Sequence, residues 1–155
     1  MKNYLDFEKE IKALEQEVDT LKSPFGSEGI SEVDTNKIKN TQMEINQKLP
    51  IFLIKELEKK VNLKKEIIGI MGLSFKADFD DIRDSLSFEL INYLKKRNLN
   101  FLYNDPYYKD PDNSDLKHLI KKSSIIIIAT PHKVYKKVKI PRKKKIVDIW
   151  NIIKK

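Results

Sequence analysis

Apolar residues recur at Phe7, Ile11, Leu14, Val18 and Leu21, one stripe at spacings of 4, 3, 4 and 3. That rhythm predicts an amphipathic helix, with Asp6 as its N-cap. Ser23-Pro24-Phe25-Gly26 stops it, and Gly29 extends the break. Ser31 or Asp34 is placed to cap a second helix, whose apolar face continues through Ile38, Ile45, Leu49, Phe52, Leu53 and Leu57. Pro50 is expected to kink that helix or to start a new one. From Glu66 the pattern changes. Ile67-Ile68-Gly69-Ile70-Met71 is a short apolar run that reads as a buried strand. A helix follows over Ser85–Arg97, with Phe88, Leu90, Ile91 and Leu94 on its apolar side. Then come a strand over Asn100–Tyr103, a short helix over Asp115–Lys122, and strands over Ser124–Ala129 and Lys145–Ile149. Strands alternating with helices predict an α/β fold, with a parallel four-stranded sheet covered by helices on both faces. The helical segment precedes it. The expected organisation is residues 1–43 as a helical lead-in, 44–65 as a linker helix and 66–155 as the sheet domain.

Composition narrows the classes. The 155 residues suffice for one compact core. The longest apolar run, Ile125–Ala129, is far short of the ~20 residues that span a bilayer. The first residues carry no apolar signal-peptide core. Cysteine is absent, which excludes disulfides, cysteine zinc sites and a thiol nucleophile within these residues. With two histidines, His118 and His132, no metal cluster is expected. These features read as a soluble, cytoplasmic protein. Net charge is +8, but residues 1–43 are net −3 and residues 44–155 net +11. There are 28 lysines against 3 arginines, and 21 isoleucines, a bias that points to an AT-rich genome. The bias weakens any inference from basicity to nucleic acid.

In a doubly wound sheet, ligands bind at the carboxyl ends of the strands. Here those ends are Gly72–Lys76, Asn104-Asp105-Pro106, Thr130-Pro131-His132 and Asp148–Asn151. Gly69-x-x-Gly72 is not a dinucleotide fingerprint, because G-x-G-x-x-G fails at its second glycine and Ser74 stands where the third would be.

The stretch Gly72-Leu73-Ser74-Phe75-Lys76, followed by Asp81-Ile82-Arg83-Asp84-Ser85, resembles the hallmark G-L-x-F-K…D-x-R-x-S of the UDP-glucose/GDP-mannose dehydrogenase family. It falls at the start of that family's C-terminal, Rossmann-like domain. Asn104-Asp105-Pro106-Tyr107, Ala129-Thr130-Pro131-His132 and Val147–Asn151 resemble its later motifs, in order. Ile45-Asn46 with Pro50 resembles the end of its linking helix. The resemblance covers residues 44–155. It implies a nucleotide-sugar site, UDP- or GDP-linked, bordered by Phe75 and Lys76. It also implies that Arg83 reaches toward an NAD cofactor held by another domain. The competing readings are a solvated loop lysine for Lys76, and for Arg83 a loop ion pair with Asp80, Asp81 or Asp84. Asp105 reads as a turn or cap residue, His132 as structural, and Asp148 and Trp150 as fold elements. The resemblance implies oxidation of a nucleotide sugar to its uronic acid, a step of polysaccharide biosynthesis. The glycine-rich NAD turn and the family's nucleophilic cysteine do not occur here. A fragment, split enzyme or fusion is therefore expected, inactive alone, with a separate NAD-binding half or a homodimer as partner.

Residues 1–43, with Tyr4-Leu5-Asp6-Phe7-Glu8-Lys9 and the Gly29-Ile30-Ser31 turn, resemble the N-terminal helices of the acetyl-CoA carboxylase carboxyltransferase alpha subunit. Two other function classes compete with the leading one. The first is a non-catalytic assembly module or a fusion with that carboxylase segment. The second is a nucleic-acid binder through the lysines of residues 133–145, which a lysine-rich background disfavours.

Overall fold

A computed structural model describes residues 13–20, 32–148 and 150–153. The expected Asp6 cap, the Ser23–Gly26 stop and Ser31 lie outside them. The chain divides into two compact units, Met1–Lys55 and Glu56–Lys155. In the first, residues 13–20 are helical (α1) and are followed by α2, Glu32–Glu58, whose last three residues belong to the second unit. Leu14 of α1 and Ile38 of α2 pack on the buried Val18, as the stripe predicts, and Lys37 pairs with Glu17 at 2.9 Å. Asp34 lies inside α2, not at its cap. No new helix starts at Pro50, since α2 continues through it.

The second unit holds four parallel strands: β1 (Ile67–Met71), β2 (Asn100–Asn104), β3 (Ile125–Ile128) and β4 (Lys145–Asp148). Their order is β2-β1-β3-β4. Ile67 faces Asn100, Ile68 faces Ile125 and Ile125 faces Lys145. The central strands β1 and β3 are almost wholly buried, which is why they read as unbroken apolar runs instead of alternating ones. Helix α3, Leu86–Lys96, is capped by Ser85, whose Oγ accepts from Ser87 N–H. It buries Leu90, Ile91 and Leu94. Helix α4, Leu116–Lys122, is capped by Asp115, whose carboxylate accepts from His118 N–H.

Strand order fixes the layers. β2 lies on one side of β1 and β3 on the other, so right-handed crossovers place α3 and α4 on opposite faces. Gly69 permits the α4 contact: a Cβ there would stand 2.6 Å from both Leu119 Cδ2 and Ser123 Oγ. Met71, Ile126, Ile128, Leu119 and Tyr135 form the core on that face. Ile68, Ile70, Ile125 and Ile127, of opposite parity, point to the α3 face. Two short 3-10 turns, Leu63–Lys65 and Lys133–Lys137, complete the unit. Among the described residues no helix is long and apolar enough to cross a membrane.

Candidate functional site

The chain leaves β1 through Gly72, whose φ of +94° is a left-handed conformation that favours glycine. A Cβ there would also meet Thr130 Cβ at 2.5 Å. The loops after β1 and β3 therefore touch at the sheet's switch point, where the strand order reverses.

Asp105, buried at the end of β2, fastens these loops. Its Oδ2 accepts from Leu73 N–H (2.6 Å), Ser74 N–H (2.9 Å), Ser74 Oγ–H (2.9 Å) and His132 Nε2–H (3.0 Å). Its Oδ1 accepts from Tyr107 and Tyr108 N–H at 2.8 and 3.1 Å. Burial alone would raise the carboxyl pKa. The hydrogen bonds from His132, Leu73, Tyr107 and Ser74 overcome it and hold Asp105 well below the usual carboxylate range. Asn113 clasps the same turn, accepting from Asp105 N–H and donating to Asp105 O and Tyr108 O.

His132 is fully buried. Its Nδ1 accepts from Asp78 N–H at 2.8 Å while Nε2 faces Asp105. That pattern fixes the neutral tautomer with its proton on Nε2. Asp78 in turn accepts from Lys133 N–H (2.9 Å) and from Tyr107 O–H (3.3 Å), and pairs with Lys133 Nζ (3.2 Å). The Lys133 amide leads in lowering its pKa. Thr130 Oγ1 donates to Ser74 O at 2.6 Å. Tyr135, also buried, donates from its hydroxyl to Asn104 O at 2.8 Å. Three loops that are distant in sequence are thus tied by buried polar bonds.

Outside this network stand the residues expected to bind ligand. Phe75 is 54% exposed, and Lys76 is exposed with its Nζ 5.7 Å from the Phe75 ring centroid. Among the described residues no carboxylate lies within salt-bridge distance of Lys76. Arg83 is exposed and grips Asp81 in a fork, Nε to Oδ1 at 2.9 Å and Nη2 to Oδ2 at 2.6 Å. The Arg83 hydrogen bonds pull the Asp81 pKa down to about 2. Phe75 N–H donates to Asp81 O at 2.7 Å, so Asp81 joins the Phe75–Lys76 end of the loop to its Arg83 end. The loop ion pair weighed for Arg83 is present, with Asp81 as the partner.

Asp105 and His132, read from sequence as turn and structural residues, are structural. Their joint role was not legible, because they lie 27 positions apart. The available signal was that both follow a strand at the same sheet edge. Asp148 is likewise a fold element, accepting from Trp150 and Ile153 N–H. Trp150 donates from Nε1 to Ala129 O and leaves half its surface exposed. Among the described residues no group of three His, Cys, Asp or Glu is placed to hold a metal. Both ring nitrogens of His132 and the Ser74 hydroxyl are engaged inside the network, so neither offers a free base or nucleophile. What the edge presents outward is a ring, an ammonium and a guanidinium, groups suited to a phosphorylated, partly planar ligand.

Residues 69–155 match the UDP binding domain of the UDP-glucose/GDP-mannose dehydrogenase family. The UDP-N-acetyl-D-mannosamine dehydrogenase of Pyrococcus horikoshii is 32% identical over 121 residues, covering 71% of this chain and 29% of that protein. A solved UDP-N-acetyl-mannosamine dehydrogenase from Staphylococcus aureus shares the fold at a TM-score of 0.65 and 23% identity, over 86% of this chain and 34% of that one. The acetyl-coenzyme A carboxylase carboxyl transferase subunit alpha of Pelagibacter ubique is 59% identical over 49 residues, 32% of this chain and 13% of that protein. The chain thus spans less than a third of the length of these curated relatives.

Proposed function

The chain belongs to the UDP-glucose/GDP-mannose dehydrogenase family, and from that premise we propose that residues 66–155 bind a UDP-linked sugar at the carboxyl edge of the sheet. Phe75 supplies a ring face and Lys76 a cation for sugar or diphosphate oxygens. Arg83, held by Asp81, faces a nicotinamide cofactor, NAD, carried by another domain or chain. The curated relative's name makes UDP-N-acetyl-D-mannosamine the first ligand to test. These 155 residues contain no thiol, so the chain's part is binding. The nucleophile and the hydride acceptor for oxidation to the uronic acid come from outside these residues, in the cytoplasm. The observation that carries the reading is the position of Phe75 and Lys76. They are exposed on a loop that begins at the switch point and is fastened from beneath by Asp105 and His132.

Calorimetric titration of the chain with UDP and UDP-N-acetyl-D-mannosamine tests it. Lys76→Ala should remove one charge-assisted contact, about 1.5–3 kcal/mol, an affinity loss of roughly ten- to a hundredfold. Arg83→Ala should leave UDP affinity unchanged. Equal binding by the parent chain and Lys76→Ala would remove Lys76 from the site.

A further inference from the structure

A groove of about 580 Å³ runs between α4 and residues 138–144, and none of the residues that build the candidate site at 72–85, 104–108 and 129–133 lines it. Leu116, Ile120 and Val138 form its floor, and they pack beneath on the core around Leu119 and Ile126. Its rim is wholly cationic: Lys117, Lys121, Lys139, Lys143 and Lys144. Among the described residues none of these five has a carboxylate within salt-bridge distance. Lys144 is turned back onto the chain, donating to Ser123 O and, at 3.3 Å, to Lys121 O. Burial, and then the neighbouring Lys143, lower its pKa. The rim is therefore crowded with like charge that has no salt-bridge partner among the described residues.

Three features define the occupant. The volume is in the ~300–1,000 Å³ range that accepts a compact apolar group or a few anchor side chains. The floor is aliphatic with no aromatic ring, so bases have nothing to stack on, and a phosphodiester backbone would meet the rim but leave the floor wet. The surface is concave, which does not suit a flat lipid surface. We propose that this groove docks an acidic amphipathic helix of a partner protein. Apolar anchors at i, i+3 or i+4, and i+7 would fill the floor, and flanking Asp or Glu would lie among the rim lysines. The surface is separate from the nucleotide-sugar edge, and the proposal does not depend on that reading.

The test uses the full chain, labelled with ¹⁵N, and a synthetic helical peptide of about 18 residues, long enough to hold a helix. The peptide carries leucine at helical spacing and glutamate elsewhere. A control peptide of the same composition has its leucines spread around the helix. Lys117→Glu with Lys139→Glu reverses two rim charges on exposed side chains, and glutamate in the first turn of α4 suits the helix dipole. At physiological salt the expected result is shifts confined to residues 116–122 and 138–144, absent with the control peptide. The double variant should weaken binding by at least about tenfold while keeping the parent spectrum elsewhere. Equal binding of the control peptide, shifts centred elsewhere, no binding, or displacement of the peptide by duplex DNA would each overturn the proposal.

Discussion

Replacing Asp105 by Asn keeps the side chain's shape but removes half its accepting capacity. The carboxylate takes six hydrogen bonds, four at Oδ2 and two at Oδ1. An amide has one accepting oxygen. With that oxygen left on the crowded side, the new NH₂ faces the Tyr107 and Tyr108 N–H groups, donor against donor. Each buried donor left unmet costs about 1–3 kcal/mol, and bonds that had an ionised acceptor lose strength as well. Asp105→Asn should therefore cost about 3–4 kcal/mol at pH 7, a large share of the ~5–15 kcal/mol that holds a domain together. Urea unfolding followed by circular dichroism measures it. The pH dependence gives a second check. The folded pKa of Asp105 is depressed below its ordinary value of 3.8. Its stabilisation is then complete above that ordinary value and is lost as pH falls from there through the folded pKa, where the unfolded chain binds the proton first. The gap between parent and variant should be constant near neutrality and shrink once pH drops below about 4. A variant within about 0.5 kcal/mol of the parent at pH 7, or a gap that ignores pH, would refute the role assigned to Asp105.

Three further outcomes are expected. Gly69→Ala should destabilise the chain by about 1–3 kcal/mol by pushing α4 off β1, measured by thermal unfolding, whereas an unchanged midpoint would mean the contact is loose. Ser123→Ala should be neutral or stabilising by up to about 1 kcal/mol, because its buried hydroxyl has no hydrogen-bond partner. A clear loss of stability would show that the hydroxyl is satisfied in solution. The Asp81 carboxyl should titrate by NMR with a midpoint at about 2 and return toward its ordinary 3.8 in Arg83→Ala. An unchanged midpoint would mean the forked pair does not persist in water.

The sheet was legible because each central strand is an uninterrupted aliphatic run, and few other structures suit Ile67–Met71 or Ile125–Ile128. Helix α3 was legible from its apolar stripe, of which Leu90, Ile91 and Leu94 are buried, while its cap Ser85 and the α4 cap Asp115 read in the sequence as the first helical residues. The short turns Leu63–Lys65 and Lys133–Lys137 were not legible, because three to five lysine-rich residues carry no period. Pro50 starts no new helix for a general reason: a proline removes one backbone hydrogen bond locally, and a long helix can absorb that loss. At the candidate site, Phe75, Lys76 and Arg83 stood out through a contiguous motif. Arg83 is held by its neighbour Asp81, but the bonds that fasten the Phe75–Lys76 loop to the ends of β2 and β3 join residues 27 to 56 apart, and no local pattern encodes such pairings.

The strand order also bears on how the chain is made. β1 occupies the middle of the sheet, yet it is synthesised first of the four strands. Its partners begin at Asn100 on one side and Ile125 on the other. As the chain leaves the ribosome, Ile67–Met71 emerges with both hydrogen-bonding edges bare until those distant segments follow. Such non-local pairing is slow, and an unpaired aliphatic strand is the kind of segment that associates with other chains meanwhile. The nascent chain is therefore most vulnerable to aggregation between the emergence of β1 and that of β3, and it is in this interval that a chaperone would act.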